Sequence, residues 1–433
     1  MTSTRVGEGC RESEVAQARA VVTRRNLLKG MLVGAGTLAL PPTLITSTAS
    51  VAYAVTPGYM GDTLVVLSLR GGFDGLNAVV PSGDPDYLTH RPGIGIPAAA
   101  TLRLDSRFGL HPALAPLKAL YDSDKLAVVH ATGLAEPNRS HFAAMDEIEQ
   151  ATPGTPSRSG WLARALALHD SDGPFNAVQI GSTDMPYELV GDFPTLGMNS
   201  LDSFDINGVD DESRPRWDTA LRALHSGADP IHQRSASMTL DALSTAQALA
   251  ATTYVPAHGA TYPSSDLGRA LTDVARMIKA NTGIRVATID YGDWDMHSGM
   301  GTVGSGWMHD HLTDFGAALA AFVADLGTTM DDVTLVTISE FGRRVGENDS
   351  MGVDHGWGNA MFVLGGHVNA AVHGTWPTLA EAALTDGDLT VTTDYRAVLA
   401  DILVNRCQVD TAGATTVFPH FTGANLGVTI PRG

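Results

Sequence analysis

Asp295 and His297 stand two positions apart, with Asp293 four residues before the histidine, so one short segment offers oxygen and nitrogen donors together. Glu340 and the pair Asp354-His355 offer the same chemistry further along. Carboxylate and imidazole in combination suit a divalent ion such as zinc, manganese or iron. Asp and Gly at a strand end also build tight turns, which a His can cap. Segment 290–297 alone therefore leaves turn and ligand set open. Taken with Glu340 and Asp354-His355, it favours an active or metal site over a purely structural carboxylate–imidazole pair.

Ser140 lies between Asn138-Arg139 and His141. A hydroxyl that opens a helix is either an N-cap or a nucleophile polarised by the helix amides. Arg139 and His141 on either side add groups suited to substrate contact. The run Arg70-Gly71-Gly72-Phe73-Asp74-Gly75 permits close backbone approach, as an anion-binding nest or as a tight turn. No Gly-Lys-Ser/Thr follows, so it is not a phosphate loop of the nucleotide-binding kind. Arg70, Arg343 and Arg344 are scarce positive charges in an acidic chain, suited to hold an anion or to form exposed salt bridges. His309 and His311 diverge on a helix surface and make poor co-ligands. The chain has no Gly-x-Ser-x-Gly elbow, His-Glu-x-x-His pair, Cys-x-x-Cys or dinucleotide fingerprint.

These groups need strands that end where they begin. Thr63–Leu69 is a short apolar run ending at the Gly-rich turn, which reads as a buried strand. Similar runs occur at 125–130, 175–180, 284–289, 333–338 and 360–364, and helical patterns at 112–121, 140–150, 160–169, 235–251, 266–279 and 309–326. The alternation predicts an α/β fold, a mostly parallel central sheet with helices on both faces. Ligands of such sheets bind beyond the carboxyl ends of the strands, where the polar segments fall. Residues 91–100 and 183–215 interrupt the rhythm and read as insertions over the sheet, the second as a lid.

The 433 residues carry a formal charge of −19, which repels nucleic acid and anionic lipid and sets both aside as partners. Thr23-Arg24-Arg25-Asn26-Leu27-Leu28-Lys29, the apolar run 30–40 and Ala52-Tyr53-Ala54 have the form of a twin-arginine signal with its cleavage site. Residues 1–54 are thus expected to be the leader and 55–433 a single domain. The twin-arginine machinery would carry it, already folded, to the cell envelope or beyond, the periplasm where an outer membrane exists. Cys407 is the one cysteine after the leader, which excludes an intrachain disulfide in that domain. No later stretch reaches the roughly 18 apolar residues of a membrane span.

Together these motifs resemble the exported family catalogued as domain of unknown function 1501. The resemblance rests on Leu69–Asn77, Arg139-Ser140-His141-Phe142, Gly160-Trp161-Leu162, Trp294-Asp295-Met296-His297, Ser339-Glu340-Phe341-Gly342-Arg343 and Asp354-His355-Gly356. That family in turn resembles the alkaline phosphatase and sulfatase superfamily, whose members place metals and a nucleophile at the carboxyl edge of a parallel sheet. The resemblance implies a metal-dependent hydrolase of phosphate or sulfate esters, acting on a small-molecule or glycan ester. It places Asp295, His297 and His355 at a first zinc or manganese ion, Asp74 and Glu340 at a less completely liganded second, and Ser140 as nucleophile. Arg343 or Arg70 would hold the anion. Glu340-Phe341 stands where the superfamily has an Asp-His pair, and this loss of an imidazole supports the alternative of a non-catalytic binding or scaffold protein.

Overall fold

The computed structural model describes residues 59–169, 173–423 and 425–432, all within one compact unit. The export signal expected over residues 1–54 lies outside the described residues. Strand β1 (Thr63–Leu69) occupies the middle of the main sheet, and its side chains alternate between two cores. Val65, Leu67 and Leu69 face one, Leu64 and Val66 the other. Period-two alternation with both sets buried means that helices must cover both faces.

Short strands β2 (Val79–Val80), β3 (Leu102–Arg103) and β4 (Gly109–Leu110) form a separate small sheet. The main sheet adds β5 (Leu126–Gly133), β6 (Ala177–Ile180), β7 (Leu196–Met198), β8 (Val286–Tyr291) and β9 (Val333–Ile338). It is completed by β10 (Asn359–Gly365), β11 (Val372–His373) and β12 (Thr393–Asp394). Its order is β11-β5-β10-β9-β1-β8-β6-β7, with β12 also paired to β5. Strand β10 runs antiparallel to both β9 and β5, and every other strand pair in this sheet is parallel. The expected mostly parallel α/β sheet is therefore the observed architecture. The run 360–364 is the exception within it, because it is reversed. That reversal brings the residues before β10 to the same edge as the residues after β1, β5, β8 and β9.

The helix Asp266–Lys279 shows why such sequences fold locally. Ser265 caps it by accepting from the Gly268 amide, Asp266 sits in the first turn, and Arg276 and Lys279 sit in the last. Leu267, Ala270, Leu271, Val274 and Met277 form the stripe it buries against the sheet. The helix Trp307–Leu326 covers the same face, while His141–Gln150 and Tyr395–Arg406 cover the other. Of the expected lid 183–215, residues 196–198 instead supply the edge strand β7, and the helix Arg214–His225 begins at its end. Cys407 is buried and free, and no helix among the described residues is long and apolar enough to cross a membrane.

The insertion at 91–100 is tied down by charge. Arg91 is 0% exposed, and its guanidinium grips Asp74 with NH1–Oδ2 at 2.5 Å and NH2–Oδ1 at 2.9 Å. It also donates to Asn77 Oδ1 and to the carbonyls of Arg344 and Val345. Removing one member of a buried ion pair leaves the other uncompensated, at about 3–5 kcal/mol. Arg91→Met is expected to lower the unfolding free energy in urea by that amount. A loss below about 1 kcal/mol would show that Asp74 finds other partners.

Candidate metal centre

Trp294 and Met296 are buried, and the tight turns between them, with the Met296 amide donating to the Trp294 carbonyl and the His297 amide to the Asp295 carbonyl, leave Asp295 and His297 outward. Trp294 packs edge-on against Phe73, 4.8 Å between ring centroids, which presses the segment against the turn after β1. Gly71 is required there. Its φ is 110°, and a Cβ would stand 2.8 Å from the Asp295 amide nitrogen.

Three histidines meet beside Asp295, His297 and His355 from loops and His141 from the first position of the helix His141–Gln150. His355 Nδ1 lies 2.9 Å from the Arg139 carbonyl oxygen, which can only accept, so Nδ1 carries the proton and Nε2 the lone pair. His141 Nδ1 faces Glu340 Oε1 at 2.7 Å, and His297 Nδ1 faces Asp354 Oδ1 at 2.8 Å. Glu340 Oε1 also accepts from the Gly71 amide, and Asp354 Oδ1 from the Asn348 side chain, so both oxygens serve as acceptors. With each Nδ1 donating outward, the Nε2 atoms turn inward. His355 Nε2 lies 3.0 Å from His141 Nε2 and 2.9 Å from His297 Nε2. Asp295 Oδ1 is 3.0 Å from His297 Nε2 and 3.3 Å from His355 Nε2, and Oδ2 is 3.6 Å from His141 Nε2.

Bare lone pairs at such distances repel. A proton or a metal cation among them relieves the repulsion. Donor atoms around a tetrahedral ion with bonds of about 2.0–2.1 Å stand about 3.3–3.4 Å apart, close to this spacing. His141, His355 and Asp295 each present one ligand atom, all within 4.8 Å of one another, and the gathering can hold a metal ion. The electrostatics agree. Burial pushes the Asp295 carboxyl up, but hydrogen bonding and charge from Arg343, with His297 and His141, outweigh it and hold it below the usual range. The bond to His297 lowers Asp354. Burial, reinforced by His141 and Arg343, holds the His355 imidazole below its ordinary pKa despite the opposing Arg139 carbonyl and Asp295, which keeps its lone pair available.

The expected site residues divide. Asp295, His297 and His355 come together. Glu340 stands behind His141 and orients it rather than facing the gap. Asp74 does not join, because its carboxylate is taken by Arg91. Arg343 is not free to hold an anion. Its donors go to Asp295 Oδ1 and to the carbonyls of Gly71, Gly72, Trp294 and Val353. Arg70 spans Glu149 and Asp290, and Arg139 and Arg344 both turn to the buried Asp388. Ser140 occupies the N-cap position, exposed, and its hydroxyl makes no cap hydrogen bond. Asp293 takes a left-handed turn on the rim, leaving Asp295 as the carboxylate that meets the imidazoles. His141 is the candidate ligand that residue spacing did not single out. Its signal was its place at a strand-end loop, the place shared by every other donor.

A mostly parallel α/β sheet with imidazole and carboxylate donors gathered at one edge defines the class: an α/β protein with a candidate metal centre at its strand ends. The chain belongs to the family described as protein of unknown function (DUF1501), which matches residues 62–405. No curated protein matches it. Among similar solved structures is the PsFucS1 sulfatase from Pseudoalteromonas sp., 12% identical, covering 85% of this chain and 73% of that one at a TM-score of 0.34. The lipoteichoic acid synthase LtaP from Listeria monocytogenes is 8% identical, covering 79% and 78%, with a TM-score of 0.30. The alkaline phosphatase of Thermus thermophilus is 14% identical, covering 91% and 86%, with a TM-score of 0.28.

The hydrogen bonds make a tautomer prediction. Long-range ¹H–¹⁵N correlation spectra of the protein without added metal are expected to show His355 protonated at Nδ1. A neutral ring protonated at Nε2 would contradict the inward-facing lone pair.

Proposed function

We propose that the protein is an exported, metal-dependent hydrolase of phosphate or sulfate esters. The observation carrying this reading is the convergence of the Nε2 atoms of His141, His297 and His355 on Asp295, with every Nδ1 engaged on the outside. Those four residues would hold one ion, zinc or manganese from the imidazole-rich donor set. When bound, a divalent ion supplies Lewis-acid polarisation of the ester oxygen. Glu340, Asp354 and the Arg139 carbonyl keep the rings in the ligating tautomer. Arg343 keeps Asp295 ionised and fixes its direction. The exposed Ser140 hydroxyl, or a water, would attack the phosphorus or sulfur as the bond to the ester oxygen breaks, its proton passing to the departing alkoxide to give the alcohol; an ester formed on Ser140 would then be released by water. One ion is favoured over two, since Asp74 is committed to Arg91 and Glu340 to His141. The leader read from residues 1–54 assigns export to the twin-arginine machinery, as a folded protein.

The commitment of Arg343, Arg70, Arg139 and Arg344 to protein acceptors supports a second reading. With none of these four guanidiniums left for an anionic ester, the same fold would serve as a non-catalytic binding or scaffold protein.

Metal analysis after purification without chelators is expected to return about one zinc or manganese per chain. His141→Ala and His355→Ala should abolish it, and Glu340→Gln and Asp354→Asn should weaken it about 10–100-fold. Wild-type content below about 0.1 per chain would end the metal proposal. Full metal content without turnover of aryl phosphates or sulfates would favour the scaffold.

A further inference from the structure

A cavity of about 710 Å³ adjoins the imidazole cluster, and His141, Asp295 and Glu340 form part of its wall. Its size is that of a site for a small organic ligand. Part of its wall is apolar. Phe142 and Met145 come from the helix His141–Gln150, and Met185, Tyr187 and Val190 come from the segment expected as a lid. Phe142 is 88% exposed and Val190 37%, so large apolar groups stand uncovered beside the candidate site.

Acidic groups are interleaved with these: Asp146 and Glu149 lie on the same helix as Phe142 and Met145, and Asp184 adjoins Met185. Arg70 is the lone arginine of the wall, and Glu149 and Asp290 already hold it. Asp146, Asp184 and Asp293 also line the cavity, are exposed, and have no cationic partner within ion-pair distance among the described residues. Asp290 and Glu149 share Arg70, Asp295 is held by Arg343 and Glu340 by His141, so Asp146, Asp184 and Asp293 remain without such a partner. A cleft lined by one sign of charge between low-dielectric walls concentrates ligands of the opposite sign. Aromatic rings such as Phe142 and Tyr187 add attraction for ammonium groups.

We infer that this cavity seats a cationic group. Resting on the hydrolase reading, this makes the substrate an ester whose alcohol carries an amine or quaternary ammonium next to an apolar stretch. The ester would lie at the imidazoles and the ammonium among Asp146, Asp184 and Asp293.

Calorimetric titration of the purified protein with benzyltrimethylammonium and with benzylsulfonate tests the inference, since the two share an apolar body and differ in sign. The cation is expected to bind at least tenfold more tightly. That preference should fall at least tenfold in Asp146→Asn/Asp184→Asn, whose exposed side chains leave the fold unaffected. Asp293→Asn provides a second variant, because Asn tolerates the left-handed turn found there. Equal or tighter binding of the sulfonate, binding of neither probe, or unchanged cation affinity in both variants would overturn the cation seat. Failure of the hydrolase reading is separable. It would appear as missing metal and missing ester turnover while wild-type protein and His355→Ala still bind the cation.

Discussion

The guanidinium of Arg343 holds the candidate site together. Its side chain is fully buried, and a buried cation without acceptors costs several kcal/mol. The carbonyls that satisfy it come from the turn after β1, the segment after β8 and the loop before β10, and Asp295 supplies the countercharge. Three chain segments far apart in sequence are therefore held at one point by the need to solvate one charge. Asp295 is fixed by the same contact, with one oxygen on Arg343 and both oxygens directed at imidazoles. The scaffold role of Arg343 and the ligand role proposed for Asp295 are two sides of one arrangement.

From that point the histidines follow by a chain of outward hydrogen bonds. Glu340, Asp354 and the Arg139 carbonyl each engage one Nδ1. These acceptors leave the rings little choice of tautomer, and the Nε2 lone pairs then have only one another and Asp295 to face. A cluster intended as a hydrogen-bonded core network would alternate donors with acceptors. This one concentrates acceptors, which is unfavourable until a cation enters. On the metal reading, such an arrangement would cost stability in the empty protein and return it on binding.

Much of the scaffold was legible in residue order. Apolar runs of strand length marked the central strands, and Ser265 with the stripe from Leu267 to Met277 marked a helix. The alternation Trp294-Asp295-Met296-His297 already implied that the two polar groups share a side. What stayed hidden depends on partners distant in the chain. Nothing in the run 360–364 reveals its direction, because buried strands of either sense are apolar throughout. Its reversal is nevertheless what brings His355 to the site. Asp74 lies as close to a metal-ligand pattern as Asp295 does, and only the burial of Arg91 beside it decides otherwise. His141 was visible as a neighbour of Ser140, but a helix-opening pair does not say which member turns inward.

The charge distribution poses a sharper question than the fold. Four arginines stand near the strand ends, and each is committed to the protein's own acceptors, while the adjoining cavity carries unpaired carboxylates. Such a surface attracts a metal cation, and it repels a simple phosphate or sulfate until one is bound. Any affinity for the anionic part of an ester must therefore come from the ion, the helix amides after Ser140, or a positive charge on the ligand itself. The last of these suits the acidic cavity without requiring any side chain to abandon its partner. On the hydrolase reading, the feature that argues against an ordinary phosphatase thus argues for a zwitterionic substrate, whose negative end would meet an ion at the imidazoles and whose positive end would meet the carboxylates.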